Sequence, residues 1–130
     1  MSKIIRTSII LYDSYNNVLI VQKGKKSEEQ WGLIGKELKG KETCEKCITK
    51  AVDKDLDCAI FDLSIFGEYP FNEQEGETVL VYTGIIRQYI VAHKSINQLK
   101  WINKNDLDSY NLLPQEKEIL TEFFNNINQE

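Results

Sequence analysis

The sequence predicts an α+β protein, and three observations carry the prediction. Runs rich in Val, Ile, Leu, Phe and Tyr recur at residues 4–11, 18–22, 59–69 and 77–88, a composition suited to a pleated, packed surface. Between the second and third runs, residues 43–57 place apolar side chains at helical spacing. A second helical pattern over 114–127 closes the chain, with Pro114 near its first turn. Strands with one helix midway and another at the end make an α+β order. Such an order hosts many activities, so function has to be read from particular residues.

In chain order, residues 4–11 and 18–22 are separated by Asp13-Ser14-Tyr15-Asn16-Asn17, a cluster of turn formers, and the pair is expected to form a hairpin. Residues 23–40 are polar and hold four of the seven glycines, which predicts a loop with a short extended piece over 31–34. Loops of that length are often functional. Thr43 suits the N-cap of the central helix, which should end near Asp57. The two longer strands are joined by a polar turn over 72–76, residues 99–102 suit a short strand, and residues 104–109 suit a helical turn.

At 130 residues the chain suits one domain spanning 1–130, with a core large enough to need no disulfide or structural metal. Hydrophobic residues at 42% and charged ones at 28% exclude a disordered chain. The net charge is −4 and no Lys/Arg cluster is long and unopposed, which argues against long nucleic acid as a partner. The first residues, MSKIIRTSIILYDS, carry no secretory pattern, and no run is long enough to span a membrane. A cytoplasmic location is expected, and the odd count of three cysteines fits a reducing compartment.

On a helical wheel, positions 44, 47, 48, 51, 52 and 56 gather on one face, and Asp55 falls inside it. A carboxylate buried there without a partner would cost on the order of several kcal/mol or be forced to take a proton. Asp55 must therefore be buried against a partner or point into a cleft. Ala51, Lys54 and Asp55 stand at i, i+3 and i+4, so they share one local patch.

The ordered set Trp31-Gly32-Leu33-Ile34-Gly35-Lys36, Gly40-Lys41-Glu42-Thr43 and Lys50-Ala51-Val52-Asp53-Lys54-Asp55-Leu56-Asp57-Cys58 resembles a Nudix box with its Trp-Gly-Leu lead, without a gap. The family pattern is Gly, five residues, Glu, seven residues, then Arg-Glu-apolar-any-Glu-Glu-any-Gly-apolar. The resemblance continues through Phe66-Gly67-Glu68-Tyr69, the strand from Glu77, Leu99-Lys100-Trp101-Ile102 and Leu112-Leu113-Pro114-Gln115-Glu116, and so covers nearly the whole chain. It implies a Nudix fold, with a mixed β-sheet core sandwiched between helices. It also implies a pyrophosphohydrolase-like site for nucleoside diphosphate derivatives that uses Mg2+ or Mn2+, and a homodimer is common in the family, although no apolar stripe compels one here. Glu42 matches the first Glu, and Lys50 stands for the Arg that braces loop against helix.

The departures fall on the chemistry. Lys36 replaces the first Gly and Asp57 the last. Ala51, Lys54 and Asp55 replace the three acids that hold the metal in the family. Magnesium wants hard oxygen ligands, and exchanging three carboxylates for one Asp and one Lys moves the patch by about three charge units toward positive. Two readings follow. In the favoured one, the chain is a non-catalytic or strongly impaired nucleotide- or phosphate-binding module, with Lys54 and Lys36 replacing the metal's charge. In the alternative it is a divergent Mg2+- or Mn2+-dependent pyrophosphohydrolase using Asp55, Glu42 and a loop acid. Glu73, Glu75 and Glu77 are the loop candidates, and Glu77 is preferred because it opens a strand that would hold it still.

Asp55 is either a residual metal ligand or the partner of Lys54 or Lys36. Trp31, Phe71 and Tyr82 are candidates to stack on a base, with core packing the plainer reading for Tyr82. Glu116 lies where some relatives place a base-reading Asn or Asp. Cys44, Cys47, Cys58 and His93 supply enough ligand types for zinc, but the spacing favours free thiols and a surface histidine.

Overall fold

A computed structural model describes residues 3–23, 30–71 and 76–127. The strands are β1 (Lys3–Leu11), β2 (Val18–Lys23), β3 (Trp31–Gly32), β4 (Ile34–Glu37), β5 (Phe61–Pro70), β6 (Glu77–Ile85) and β7 (Ile96–Ile102). Helix α1 (Cys44–Leu56) follows β4, a 3-10 turn spans Lys104–Ser109, and helix α2 (Pro114–Ile127) closes the described chain. One sheet has the order β4-β1-β6-β5, with β1 and β6 parallel and the other pairs antiparallel. The second is antiparallel with the order β3-β2-β7.

The expected hairpin does not form. Asp13 does build the turn, its Oδ1 accepting from the backbone N–H groups of Tyr15 and Asn17, with Asn16 at φ 61°. Beyond the single bridge Tyr12↔Val18, however, the two strands part into different sheets. Each is a central strand with a neighbour on both edges: β4 and β6 flank β1, and β3 and β7 flank β2. Their uninterrupted apolar runs reflect burial on both faces. Ile10, Val18, Ile20, Val79 and Val81 pack with Ile119, Leu120, Phe123 and Phe124 of α2. The alternate residues Ile9, Leu11, Leu19, Val21, Leu80 and Tyr82 pack with Ile48, Val52 and Leu56 of α1. Mixed sheet between two helices is the architecture that the resemblance implied.

Helix α1 begins and ends where its chemistry dictates. The Thr43 hydroxyl accepts from Lys46 N–H at 3.2 Å, meeting one of the open donors of the first turn. Asp57 ends the helix in the left-handed conformation, φ 56°, with its N–H on Asp53 O. Of the non-glycine residues, Asp is among the few that tolerate this conformation, so the position that is glycine in the family pattern keeps its backbone demand here. Ile48, Val52 and Leu56 are fully buried, each stabilising the α1 layer by about 1.5–3 kcal/mol.

Three strands differ in extent from the sequence reading. Strand β4 continues to Glu37 because it pairs with β1 from Ile34↔Ile9 to Glu37↔Arg6. Strand β7 starts at Ile96, which is buried against the α1 layer. Strand β6 stops at Ile85, after which residues 86–95 turn back to α1. Among the described residues, no helix is long and apolar enough to cross a membrane. Replacing the cap, Thr43→Ala, should cost about 1 kcal/mol of stability, read as a lowered urea midpoint with an unchanged slope.

Candidate ligand-binding cleft

Strand alternation sets the two ends of a cleft. On β1, Thr7 and Ile9 face α1, with the Thr7 hydroxyl donating to Cys47 Sγ. Arg6 and Ser8 face the opposite layer and line a cavity of about 640 Å³ with Phe71, Val79, Leu113 and Glu116. A smaller cavity of about 200 Å³ adjoins it, sharing Arg6, Leu113 and Glu116, and is also lined by Lys23, Trp31, Gly32 and Gly35.

At one end lies Asp55. It is 5% exposed, and its Oδ2 accepts from Lys23 Nζ at 2.6 Å. Its cation is therefore neither Lys54 nor Lys36. Lys23 ends β2 two residues after Val21, so alternation brings both onto the α1 side. The main chain fixes the carboxylate further: His93 N–H donates to Asp55 O and Val91 N–H to Leu56 O, meeting carbonyls that the helix end leaves open. Lys54 is exposed on the last turn of α1. Lys36 lies on β4 opposite Thr7, and its charge helps to hold the Glu42 carboxyl down. Neither lysine lines the two cavities.

Glu42 accepts from Lys50 Nζ at 3.0 Å, the brace expected from the box resemblance. Lys50 is the main reason that its carboxyl sits below the usual range, with a further contribution from Lys39 N–H. Glu77 opens β6 opposite Lys3 and lines neither cavity. Glu73 and Glu75 lie outside the described residues. Among the described residues no three His, Cys, Asp or Glu side chains stand together as a metal cluster. The donor set fits a divalent cation poorly: the Asp55 carboxylate carries an ammonium, and Ala51, one turn earlier on α1, brings no oxygen ligand.

At the other end, Glu116 in the first turn of α2 turns its carboxyl inward, and Oε2 accepts from Leu33 N–H at 3.0 Å. Burial pushes this acid up to about 7, against the opposing pull of Leu33 N–H and Arg6. Gly32 makes the approach possible, since a Cβ there would lie 2.4 Å from Glu116 Oε2. At Gly35 a Cβ would meet Thr7 O at 2.6 Å and Arg6 Nη2 at 3.1 Å. Both glycines are thus required by close contacts, which gives the Trp-Gly-Leu lead a physical basis.

Trp31 is buried edge-on against Tyr110, with ring centroids 5.2 Å apart, while Phe71 lines the larger cavity and Tyr82 packs in the α1 layer. The cysteines are free thiols, Cys47 and Cys58 buried and Cys44 half-buried, and burial raises all three. The His93 ring pairs with Ser95 Oγ. Sequence reading missed Lys23, Arg6 and Ser8. The only signal for the last two was the polar run Arg6-Thr7-Ser8 inside an apolar stretch, in which alternation puts Arg6 and Ser8 on one face.

No family sequence model matches the chain. No curated protein matches it in sequence. Its structure, by contrast, is similar to many solved ones. A MutT structure, from work on the Aliivibrio salmonicida and Vibrio cholerae proteins, superposes with a TM-score of 0.80 at 12% identity, covering 95% of this chain and 99% of that one. MutT from Methanosarcina mazei gives 0.76 at 14% identity, covering 99% and 98%. The Nudix domain of Shewanella oneidensis NrtR, crystallised with ADP-ribose, gives 0.67 at 16% identity, covering 94% and 88%. The fold is the Nudix fold.

Gly32→Ala should force the carboxylate off Leu33 N–H and cost about 1–3 kcal/mol. In a Glu116→Ala background, where that bond is already lost, the same change should cost clearly less. Chemical denaturation of the four proteins reads the difference. The raised Glu116 carboxyl also links stability to pH. Its contribution is complete below the ordinary 4.5 and is lost as pH rises through about 7. The unfolding midpoint should fall across that window, and Glu116→Gln should flatten this part of the profile.

Proposed function

From a Nudix fold in which the one carboxylate left at the positions of the family's metal-holding acids, Asp55, is held by a lysine, we propose a binding module for a nucleotide or related phosphorylated small molecule that needs no divalent cation. The Lys23–Asp55 pair carries this reading. An ammonium has three donors. One goes to Asp55, and the Lys23 side chain, 40% exposed and lining the cleft, has the rest to offer phosphate oxygens. Asp55 positions the charge and Lys23 delivers it, a division of labour that a point-charge phosphate ligand suits.

Metal-dependent hydrolysis of an acid anhydride would place a cation between carboxylates and the phosphate to stabilise developing charge. Here such a cation would have to displace Lys23 from Asp55 and then sit beside Lys54. Replacing the anchored ammonium is unfavourable in a partly dry site, where charges interact more strongly than in water. The ADP-ribose bound by the NrtR domain supports a ligand of the nucleoside diphosphate class. Arg6, at the far end, supplies a second cationic donor.

Calorimetric titration with inorganic pyrophosphate and nucleoside diphosphates in EDTA should show binding that changes less than about twofold on adding Mg2+. Lys23→Met should weaken it by about tenfold or more, about 1.4 kcal/mol, and Lys54→Ala by much less. Turnover of nucleotide substrates that requires Mg2+ or Mn2+ and disappears in Asp55→Ala would overturn the reading.

A further inference from the structure

We infer that Arg6 and Ser8 form a carboxylate-binding subsite in the larger cavity, so that the cleft takes a phosphorylated small molecule whose far end is a carboxylic acid on an apolar body. The inference rests on the proposed phosphate reading only in placing both anionic groups on one ligand.

In the β1–β4 register Arg6 stands opposite Glu37, the obvious partner for its charge. The guanidinium leans the other way. A Cβ at Gly35, the residue opposite Ser8, would lie 3.1 Å from Arg6 Nη2 and 2.7 Å from Ser8 Oγ. Two donors therefore border one point, close enough together for a single oxyanion to bridge. Thr7 O, in the strand backbone, also borders that point, so an anion meets the donors from the cavity that both line. Glu37 stays exposed, and among the described residues Arg6 makes no ion pair or hydrogen bond. Ser8 is 4% exposed, and its hydroxyl has no partner among the described residues either. A buried hydroxyl and a half-buried guanidinium without acceptors are unfavourable. One anionic acceptor in the cavity satisfies both.

The other polar side chains of this cavity already hold partners. Gln115 donates to Pro70 O, and Glu116 accepts from Leu33 N–H. Because burial raises Glu116 to about 7, below that pH the cavity lining presents one charge, that of Arg6. One carboxylate balances it. A phosphate dianion would leave excess negative charge between the apolar walls of Phe71, Val79, Leu113 and Ile119, where an uncompensated charge is unfavourable. The planar fork of a guanidinium matches a carboxylate, and the Ser8 hydroxyl adds a further donor. The cavity, about 640 Å³, holds a small ring or branched chain behind the acid. Arg6 also lines the smaller cavity, together with Lys23. A carboxylate at Ser8 and a phosphate at Lys23 thus belong to one continuous cleft.

The test is a chemical-shift titration of the isotope-labelled whole chain, in EDTA at about pH 6, with hydrocinnamate, hydrocinnamide, phenyl phosphate and inorganic pyrophosphate. Hydrocinnamate should bind in about the millimolar range, as its size allows, and shift the backbone amides of Arg6, Ser8, Val79 and Ile119. Hydrocinnamide, similar in shape and uncharged, should bind about tenfold more weakly, and Arg6→Gln should weaken the acid by about the same factor. Ser8→Ala removes one oxygen and should weaken the acid about threefold, a measurement that does not depend on how Arg6→Gln folds. Phenyl phosphate should bind these residues more weakly than the acid. Hydrocinnamate carries no phosphate, so its result stands even where pyrophosphate fails to bind and the phosphate reading falls. Equal affinity for acid and amide, acid binding unchanged by both substitutions, tighter Arg6-dependent binding of phenyl phosphate, or no acid binding up to about 20 mM overturns the inference.

Discussion

A carboxylate on the buried face of a helix imposes a condition on everything packed against it. Asp55 shares its face of α1 with Ile48, Val52 and Leu56, and left unpaired it would oppose the burial that holds the α1 layer together. The chain meets the condition with Lys23, delivered from a different sheet by the end of β2. That placement follows from alternation along β2, which packs Leu19 and Val21 in the α1 layer and carries the next alternate residue toward Asp55. The pair in turn sets the polarity of the cleft. The apolar packing of α1, the two-sheet topology and the Lys23–Asp55 end of the cleft are thus one connected requirement.

Helix α1 was legible almost to the residue, since its limits are set by local chemistry: a hydroxyl able to cap at Thr43 and a residue able to turn left-handed at Asp57. The 3-10 turn and α2 follow from similarly local signals, including the capping of Lys104–Ser109 by Asn103. The pairing of β1 with β2 was misread because a turn signal says that the chain reverses and not that the flanking strands bond to each other. Their unbroken apolar runs mark strands covered on both faces but do not name the partner on either edge. At the site, the wheel marked Asp55 as needing a partner or a cleft, but nothing local pointed to Lys23. The two are 32 residues apart, and their meeting depends on sheet order. Arg6 was hidden for the same reason.

What has been retained and what has changed in the box separate along physical lines. Positions that serve the backbone keep their function with altered residues: Lys50 still braces Glu42, and Asp57 still turns the chain. Gly32 and Gly35 persist where a side chain would collide with Glu116, Ser8 or the β1 backbone. Positions that would concentrate negative charge have moved toward neutrality. The loop and the helix of the fold remain, while the positive charge beside Asp55 comes from a side chain, Lys23.

Charge counting ties the two ends of the cleft together. Asp55 and Lys23 cancel, Arg6 contributes one positive charge, and Glu116 contributes either none or one negative. The cleft therefore carries a net positive charge when Glu116 holds its proton and is neutral when it does not. An anionic ligand strengthens the field that keeps the proton in place, since phosphate charge near an ionisable carboxyl disfavours the carboxylate. Burial of Glu116, the glycine that admits it and the lysine that pairs with Asp55 thus act in one direction. Each makes the cleft less negative and so more favourable to an anion.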